Sequence, residues 1–269
     1  MKKFLLAAVL ALSTLCVGQE AVISTAPAPT ASTLSLASNV YKAVTLLYSQ
    51  DESGGMHMHC TATAYKKTEK GYRFVTASHC VPGDSPEEQQ DTKYFVTSDA
   101  EGEKTYIKAA LVAASDKTSG EDFAIFEVDT KANFDVIPLG DNTKLHLGSP
   151  VIDVAGPLGL GKQFFQGYVS NLKLDRPKLD AGEIQWKDVM LVMIGGGPGS
   201  SGSSIVSEEQ KAIVAFLVGS VNGVNIGAIC VPVEDFKKFE AKVDAGTYGD
   251  KSALERMIKK VLSDGKDKK

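Results

Sequence analysis

Ser201 stands in the run Gly195-Gly-Gly-Pro-Gly199-Ser-Ser201-Gly-Ser203-Ser-Ile-Val206. A nucleophilic serine needs backbone N–H groups aimed at the oxygen of the carbonyl it attacks. Glycine two positions earlier lets the chain turn so that those amides converge. Gly199 and Gly202 flank Ser201 in this way, and apolar Ile205-Val206 leads into a following strand. Taken alone, such a Gly/Ser-rich run also describes a flexible turn. Two further segments bear on the choice. Phe74-Val-Thr-Ala-Ser-His79-Cys80 reads as a strand ending in small residues and then an imidazole, which suits a cleft edge, a structural histidine or a metal ligand. Asp122 opens Asp122-Phe-Ala-Ile-Phe-Glu-Val128, an acid at the head of a mostly apolar strand. A carboxylate buried against an imidazole and an ordinary strand-capping acid both fit.

Chain order narrows the options. All four histidines, His57, His59, His79 and His146, precede Ser201. That excludes a Ser…Asp…His order and, with it, an α/β-hydrolase arrangement built on Ser201. An Asp…His…Ser order needs Asp51, the only Asp before His79, which sits in a polar stretch. His79…Asp122…Ser201 remains, with separations of 43 and 79 residues. This is the order in which trypsin-like peptidases carry their triad.

The motifs themselves resemble that family. Thr76-Ala-Ser-His79-Cys80 is similar to its Thr-Ala-Ala-His-Cys signature. Asp122-Phe-Ala-Ile-Phe resembles its Asp-Leu/Ile-Ala-Leu strand, and Gly199-Ser-Ser201-Gly-Ser its Gly-Asp/Asn-Ser-Gly-Gly/Ser loop. Between Asp and Ser the likeness is closer to the bacterial Deg/HtrA branch. Ile137-Pro-Leu-Gly-Asp-Asn-Thr-Lys-Leu-His-Leu-Gly148 and Ala155-Gly-Pro-Leu-Gly-Leu-Gly161, followed by Gly167-Tyr-Val-Ser-Asn-Leu172, resemble segments of that branch. The likeness covers about residues 40–240.

The resemblance implies an all-β fold of two six-stranded antiparallel barrels. His79 and Asp122 come from the first, Ser201 from the second, and the site lies in the cleft between them. It also implies a serine endopeptidase in which Ser201 Oγ attacks, His79 moves the proton and Asp122 orients the imidazole. The backbone amides of Gly199 and Ser201 hold the oxyanion, and no metal or organic cofactor is needed. By the same likeness Gly195 lies at the base of the primary pocket and Phe216-Leu217-Val218 forms its wall. That combination implies small or medium apolar residues before the cleaved bond. Ser200 departs from the usual Asp or Asn, so a different interaction must order the loop. Only about 30 residues follow Glu240, so no PDZ-like region is expected, and a monomer is the expected state.

The remaining chain must position these groups. Short runs rich in Val, Ile, Phe and Thr, separated by Gly, Asp, Asn and Pro, predict strands. They fall at Val44–Tyr48, Cys60–Tyr65, Tyr72–Thr76, Tyr94–Thr97, Thr105–Ala113, Phe123–Val128, Pro150–Ala155, Gln163–Leu172, Met190–Ile194, Ser204–Val206, Ala212–Val218 and Gly227–Val231. Residues 81–92 read as a charged surface loop. Val233–Val243 predicts a helix. A second helix is predicted from the Ser252/Glu255 capping box through Leu262, stopped by Gly265. The expected organisation is a signal peptide (1–18), a flexible Ala/Ser/Thr/Pro-rich leader (19–38), a barrel (39–135), a second barrel (136–240) and a helical tail (241–269).

Lys2-Lys3 followed by the apolar stretch Phe4–Leu15 and small residues near Gly18 predicts export, to a periplasmic or extracellular space. Cleavage after Gly18 leaves 27 basic against 33 acidic residues, a net of −6. That mild acidity gives no reason to invoke nucleic acid or an anionic membrane. Polypeptide substrates are what the resemblance implies, and with no later long apolar run no membrane anchor is expected. Of the three remaining cysteines, Cys60 and Cys80 flank one hairpin and are the expected disulfide in an oxidising compartment. Cys230 is expected as a buried, inert thiol. Two alternatives stay open at this point. One is a binding module on a catalytically inactive scaffold. The other is a metal-binding protein using His57, His59 and Cys60, with the two imidazoles on one side of a strand.

Overall fold

The computed structural model describes residues 29–98, 104–116, 120–174, 186, 188–220 and 227–248. The expected signal peptide, the expected leader up to residue 28 and the helix expected after Ser252 lie outside them. All twelve predicted strands are present. β1 (Val44–Gln50), β2 (Met56–Lys67), β3 (Gly71–Thr76), β4 (Lys93–Ser98), β5 (Thr105–Ala114) and β6 (Ala124–Asp129) close into one barrel in the order β1-β2-β3-β6-β5-β4. β7 (Pro150–Ala155), β8 (Gln163–Asn171), β9 (Met190–Met193), β10 (Ser204–Ser207), β11 (Ala212–Ser220) and β12 (Ala228–Pro232) close a second, in the order β10-β11-β12-β9-β8-β7. Closure removes the unpaired edges that an open sheet would present.

Each barrel has its own apolar filling, and a third cluster joins them. Leu47, Phe74, Tyr94, Val96 and Phe126 fill the first barrel, and Val151, Met190, Val192, Ile205 and Val214 the second. Between the barrels, Phe123, Phe216 and Phe236 meet edge to face, with centroids 5.6, 5.4 and 5.1 Å apart. Such offset pairs add to the burial of the rings themselves.

Two helices seal this seam. α1 (Ala31–Ala43) lies where composition predicted a flexible leader, so that expectation holds for none of residues 31–38. Thr30 caps it by accepting the Thr33 N–H at 3.1 Å, and Leu36, Val40 and Ala43, spaced four and three apart, are buried. The short helix α2 (Pro86–Asp91), capped by Ser85, occupies the expected 81–92 loop. α3 (Val233–Asp244) matches its prediction and buries Val233, Phe236 and Phe239. The boundary expected at 240/241 therefore falls inside a helix.

Cys60 on β2 and Cys80 after β3 are bridged, with Cα atoms 5.9 Å apart, and Cys230 is free and buried. The bridge closes a loop of sequence separation 20, for which restriction of the unfolded chain is worth about 3 kcal/mol. Replacing both cysteines by alanine is expected to lower the unfolding free energy by about that amount, read from urea titrations. An unchanged midpoint would show that the bridge is not formed.

Candidate active site

The site is built where the barrels meet. β3 ends at Thr76, and a single tight turn, Ser78–Cys80, puts His79 at the cleft with a quarter of its side chain exposed. Asp122 precedes β6 and is 1% exposed. Its Oδ2 lies 2.7 Å from His79 Nδ1 and accepts the Trp186 Nε1–H at 3.1 Å. Oδ1 accepts the His79 backbone N–H at 3.0 Å and the Ser78 hydroxyl at 2.9 Å. Burial alone would raise this carboxyl. The bond and charge of the His79 ring, its backbone N–H and the Trp186 N–H outweigh that and hold it below the usual carboxylate range. An ionised carboxylate only accepts, so the hydrogen between the two groups sits on Nδ1.

Ser201 lies in a loop whose backbone runs in two directions. The N–H groups of Ser200, Gly202 and Ser203 bond to Gly197, Leu217 and Ser200 carbonyls at 2.8, 2.7 and 3.0 Å. Among the described residues, the N–H groups of Gly199 and Ser201 find no acceptor. Gly199 has φ +96°, and a Cβ there would lie 2.7 Å from the Gly156 carbonyl oxygen. At Gly202, φ +80°, a Cβ would lie 2.1 Å from Thr76 Oγ1 and 2.7 Å from the Ala77 nitrogen. This closeness brings the residue after Ser201 against the residues just before His79. The Ser200 hydroxyl accepts the Gly197 N–H at 3.1 Å, which is the ordering contact that replaces an acid at this position. Among the described residues, no hydrogen bond joins the Ser201 hydroxyl to His79.

One residue that the sequence did not single out ties these parts together. Thr61 is fully buried, next to Cys60. Its N–H bonds to the Ser201 carbonyl at 3.1 Å, and its hydroxyl donates to the Gly199 carbonyl at 2.8 Å. The same hydroxyl accepts the Gly156 N–H at 2.9 Å, and its carbonyl accepts from Thr76 Oγ1 at 2.7 Å.

Beside Ser201 opens a cleft of about 210 Å³ lined by Ile194, Gly196, Gly197, Pro198, Leu217, Gly219, Ser220, Gly227 and Ala228. Of the four residues expected to shape a pocket, only Leu217 lines it. Phe216 and Val218 point the other way, into the seam between the barrels, because alternate residues of a strand face opposite sides. Gly195 faces Phe165, whose ring a Cβ would meet at 2.6 Å, while Gly196, Gly197 and Pro198 line the cleft. A larger hollow of about 580 Å³ between α1 and residues 135–138 shares no residue with this site.

The residues of the metal-binding alternative have other partners. His57 Nε2 lies 2.6 Å from Asp51 Oδ2, His59 Nε2 lies 2.7 Å from Ser49 Oγ, and Cys60 is bonded to Cys80. Burial, and then the neighbouring His57, lower the pKa of His59.

The family model described as "Trypsin-like peptidase domain" matches residues 60–215, more than half of the chain. The chain belongs to that family. It is 28% identical over 170 residues to a probable periplasmic serine endoprotease DegP-like of Bartonella henselae, covering 62% of this chain and 30% of that one. It is 27% identical over 205 residues to a serine protease HtrA-like of Staphylococcus aureus, covering 73% of this chain and 24% of that one. The chain thus spans about a third or less of the length of these relatives. The solved HtrA-type protease AlgW with decapeptide superposes with a TM-score of 0.62 at 16% identity, over 79% of this chain and 67% of AlgW. Deg5 does so with a TM-score of 0.60 at 14% identity, over 79% and 94%. Both share the double-barrel fold.

Next to the Ser201 loop, Asp153 is buried inside the second barrel. It accepts the Ser203 hydroxyl at 2.8 Å, and its Oδ1 has no partner among the described residues. Burial outweighs that bond and a backbone N–H, and pushes its carboxyl up to about 7 from 3.8. The Cys230 thiol is raised well above its usual range by burial and by the Asp153 charge, which suits an unreactive thiol.

Two outcomes follow from these contacts. Thr61→Val keeps shape and strand preference but strips an acceptor from the Gly156 N–H and a donor from the Gly199 carbonyl. It is expected to cost about 2–4 kcal/mol and to loosen the Ser201 loop, measured by urea unfolding and by amide exchange at Gly156. For Asp153, the folded state holds a proton between about pH 4 and pH 7 that the unfolded chain has released, so its contribution to stability falls as pH rises through that window. The full penalty, on the order of 4 kcal/mol, is present above pH 7. Asp153→Asn is expected to raise the melting temperature at pH 8 and to change it little at pH 4.5. A uniform shift at both pH values would contradict this account.

Proposed function

We propose that this chain is an exported serine endopeptidase that cleaves peptide bonds through an acyl-enzyme on Ser201. The observation that carries the reading is the buried Asp122 carboxylate bonded at 2.7 Å to His79 Nδ1, beside a serine loop held against the same turn by Gly202. With its proton on Nδ1, the ring accepts the Ser201 hydroxyl proton at Nε2 as Oγ attacks the carbonyl carbon. It then gives that proton to the leaving amine. Asp122 stabilises the imidazolium formed in between. The link between Ser201 and His79 is one of those that commonly tighten only with substrate in place.

The unpartnered N–H groups of Gly199 and Ser201 support an oxyanion hole, where one donor is typically worth about 3–4 kcal/mol in the transition state. Water then hydrolyses the ester on the same machinery. Glycines 196, 197 and 219, Leu217 and Ala228 support a preference for small or medium apolar side chains before the cleaved bond. β10 pairs with β11 only as far as Phe216. Val218–Ser220 therefore offers a margin on which an extended substrate can pair. The relatives' names, periplasmic serine endoprotease and serine protease, and the peptide in the AlgW structure support the class of substrate and the export.

The test is labelling with a fluorophosphonate and cleavage of a peptide library by the wild type and Ser201→Ala side by side. Wild type is expected to label once per chain and to cut after Ala, Val or similar residues. Ser201→Ala is expected to do neither above background, a loss of about 10⁴-fold or more. An unlabelled, well-folded wild type would instead make the chain an inactive scaffold. Secretion with a new N-terminus near residue 19 checks the export.

A further inference from the structure

Trp186 is the chain's single tryptophan, and its position is not explained by packing alone. It is carried on the connection from β8 to β9, which is closed at its base by the Leu174 N–H bonding to the Val189 carbonyl at 2.9 Å. The ring is 9% exposed and belongs to the cluster between the barrels. A phenylalanine would fill such a place without bringing in a donor that needs a partner. Here the donor is aimed: Nε1–H meets Asp122 Oδ2 at 3.1 Å, the same oxygen that faces His79 Nδ1.

The opposite edge of the indole is also held. A Cβ at Gly219, in the strand that lines the cleft, would lie 3.0 Å from Trp186 Cη2. The six-membered ring therefore presses on the substrate-side strand while the N–H edge meets the acid. Without the indole, Oδ2 would keep one partner and Oδ1 two, and the carboxylate could rock about its Cβ–Cγ bond.

We propose that Trp186 is a positioning residue for the triad, its indole N–H completing the acceptor set of Asp122 and fixing Oδ2 on the line to His79 Nδ1. The role rests on the peptidase reading above and acts through Asp122, because Trp186 does not touch the reacting atoms. By locking the carboxylate before substrate arrives, it lowers the reorganisation needed when the imidazole becomes charged.

Three proteins test this: wild type, Trp186→Phe, and wild type carrying 3-benzothienylalanine at position 186, which keeps the indole shape with sulfur in place of N–H. In both altered proteins kcat and the rate of fluorophosphonate labelling are expected to fall about tenfold or more. KM is expected to stay within about twofold. The pH profile of labelling is expected to move across the range in which imidazole titrates. Wild-type kcat and an unmoved profile in the benzothienyl protein would overturn the proposal even if Trp186→Phe folds poorly.

Because Trp186 is the only indole, its emission gives a readout independent of turnover. Asp122→Ala is expected to shift the emission, and no shift in a protein with native circular dichroism would overturn the contact itself. A folded wild type that neither cleaves nor labels overturns the peptidase reading, and the positioning role with it. Failure of the Trp186 role alone appears as wild-type rates in the altered proteins.

Discussion

Two barrels that each close on themselves have no strand in common, so their relative placement must come from contacts across the seam. Among those contacts, the hydrogen bonds of Thr61 bear most directly on the candidate site. From a strand of the first barrel, its N–H and hydroxyl reach the carbonyls of Ser201 and Gly199, and its hydroxyl also receives the Gly156 N–H. One buried side chain therefore fixes two loops of the second barrel. Its neighbour Cys60 is bonded to Cys80, which follows His79 directly. Serine loop and imidazole turn are thus both referred to the same few residues of β2. A buried donor or acceptor deprived of its partner costs more than the bond is worth when made, so this register is defended by the penalty for breaking it.

Asp122 illustrates the same logic at a charged group. A carboxylate taken out of water is strongly disfavoured unless hydrogen bonds replace its hydration. Two donors on each oxygen supply that replacement, three of them from Ser78 and His79, adjacent in the chain, and the fourth from Trp186 of the other barrel. Phe123, next in sequence, is locked into the aromatic seam with Phe216 and Phe236. The acid is held by its neighbours' packing as well as by its own bonds. The cost of burying it is offset locally, and the result is a carboxylate that stays ionised.

Much of this was legible beforehand. Strands such as Phe74–Thr76 and Ile125–Val128 announce themselves by β-branched and aromatic residues between turn formers, and chain order left a single arrangement of histidine, acid and serine. What escaped has a common physical cause, namely that the partner is distant in sequence. Thr61 and Gly199 are 138 residues apart, and Trp186 and Asp122 are 64 apart. No local pattern marks either. Helix α1 was hidden because its apolar stripe of Leu36, Val40 and Ala43 is thin and sits among Ala, Ser and Thr, and only docking on the seam makes it worthwhile. The pocket wall was displaced for a different reason. Successive residues of a strand face opposite sides, so Phe216, Leu217 and Val218 do not all line one cleft, and the register slip between Leu217 and Gly219 against β12 is not marked by side-chain types.

The serine at position 200 shows how little charge the Ser201 loop needs. An acid there would have to be neutralised inside the protein. The hydroxyl instead accepts one N–H from Gly197, within its own turn, and leaves the remaining constraints to Thr61 and to two glycines that no side chain could replace. Asp153 and Ser203 add a polar pair beneath the same loop, and the acid is neutral below about pH 7 because its surroundings are apolar. The loop is therefore shaped by neutral hydrogen bonds and steric fit rather than by an ion pair. Its geometry should then be insensitive to salt, which screens exposed charges far more than buried dipoles. Below about pH 7 that leaves Asp122, against His79, as the carboxylate that stays charged among the described residues of this centre, and on the proposed peptidase reading it is where the chemistry requires one.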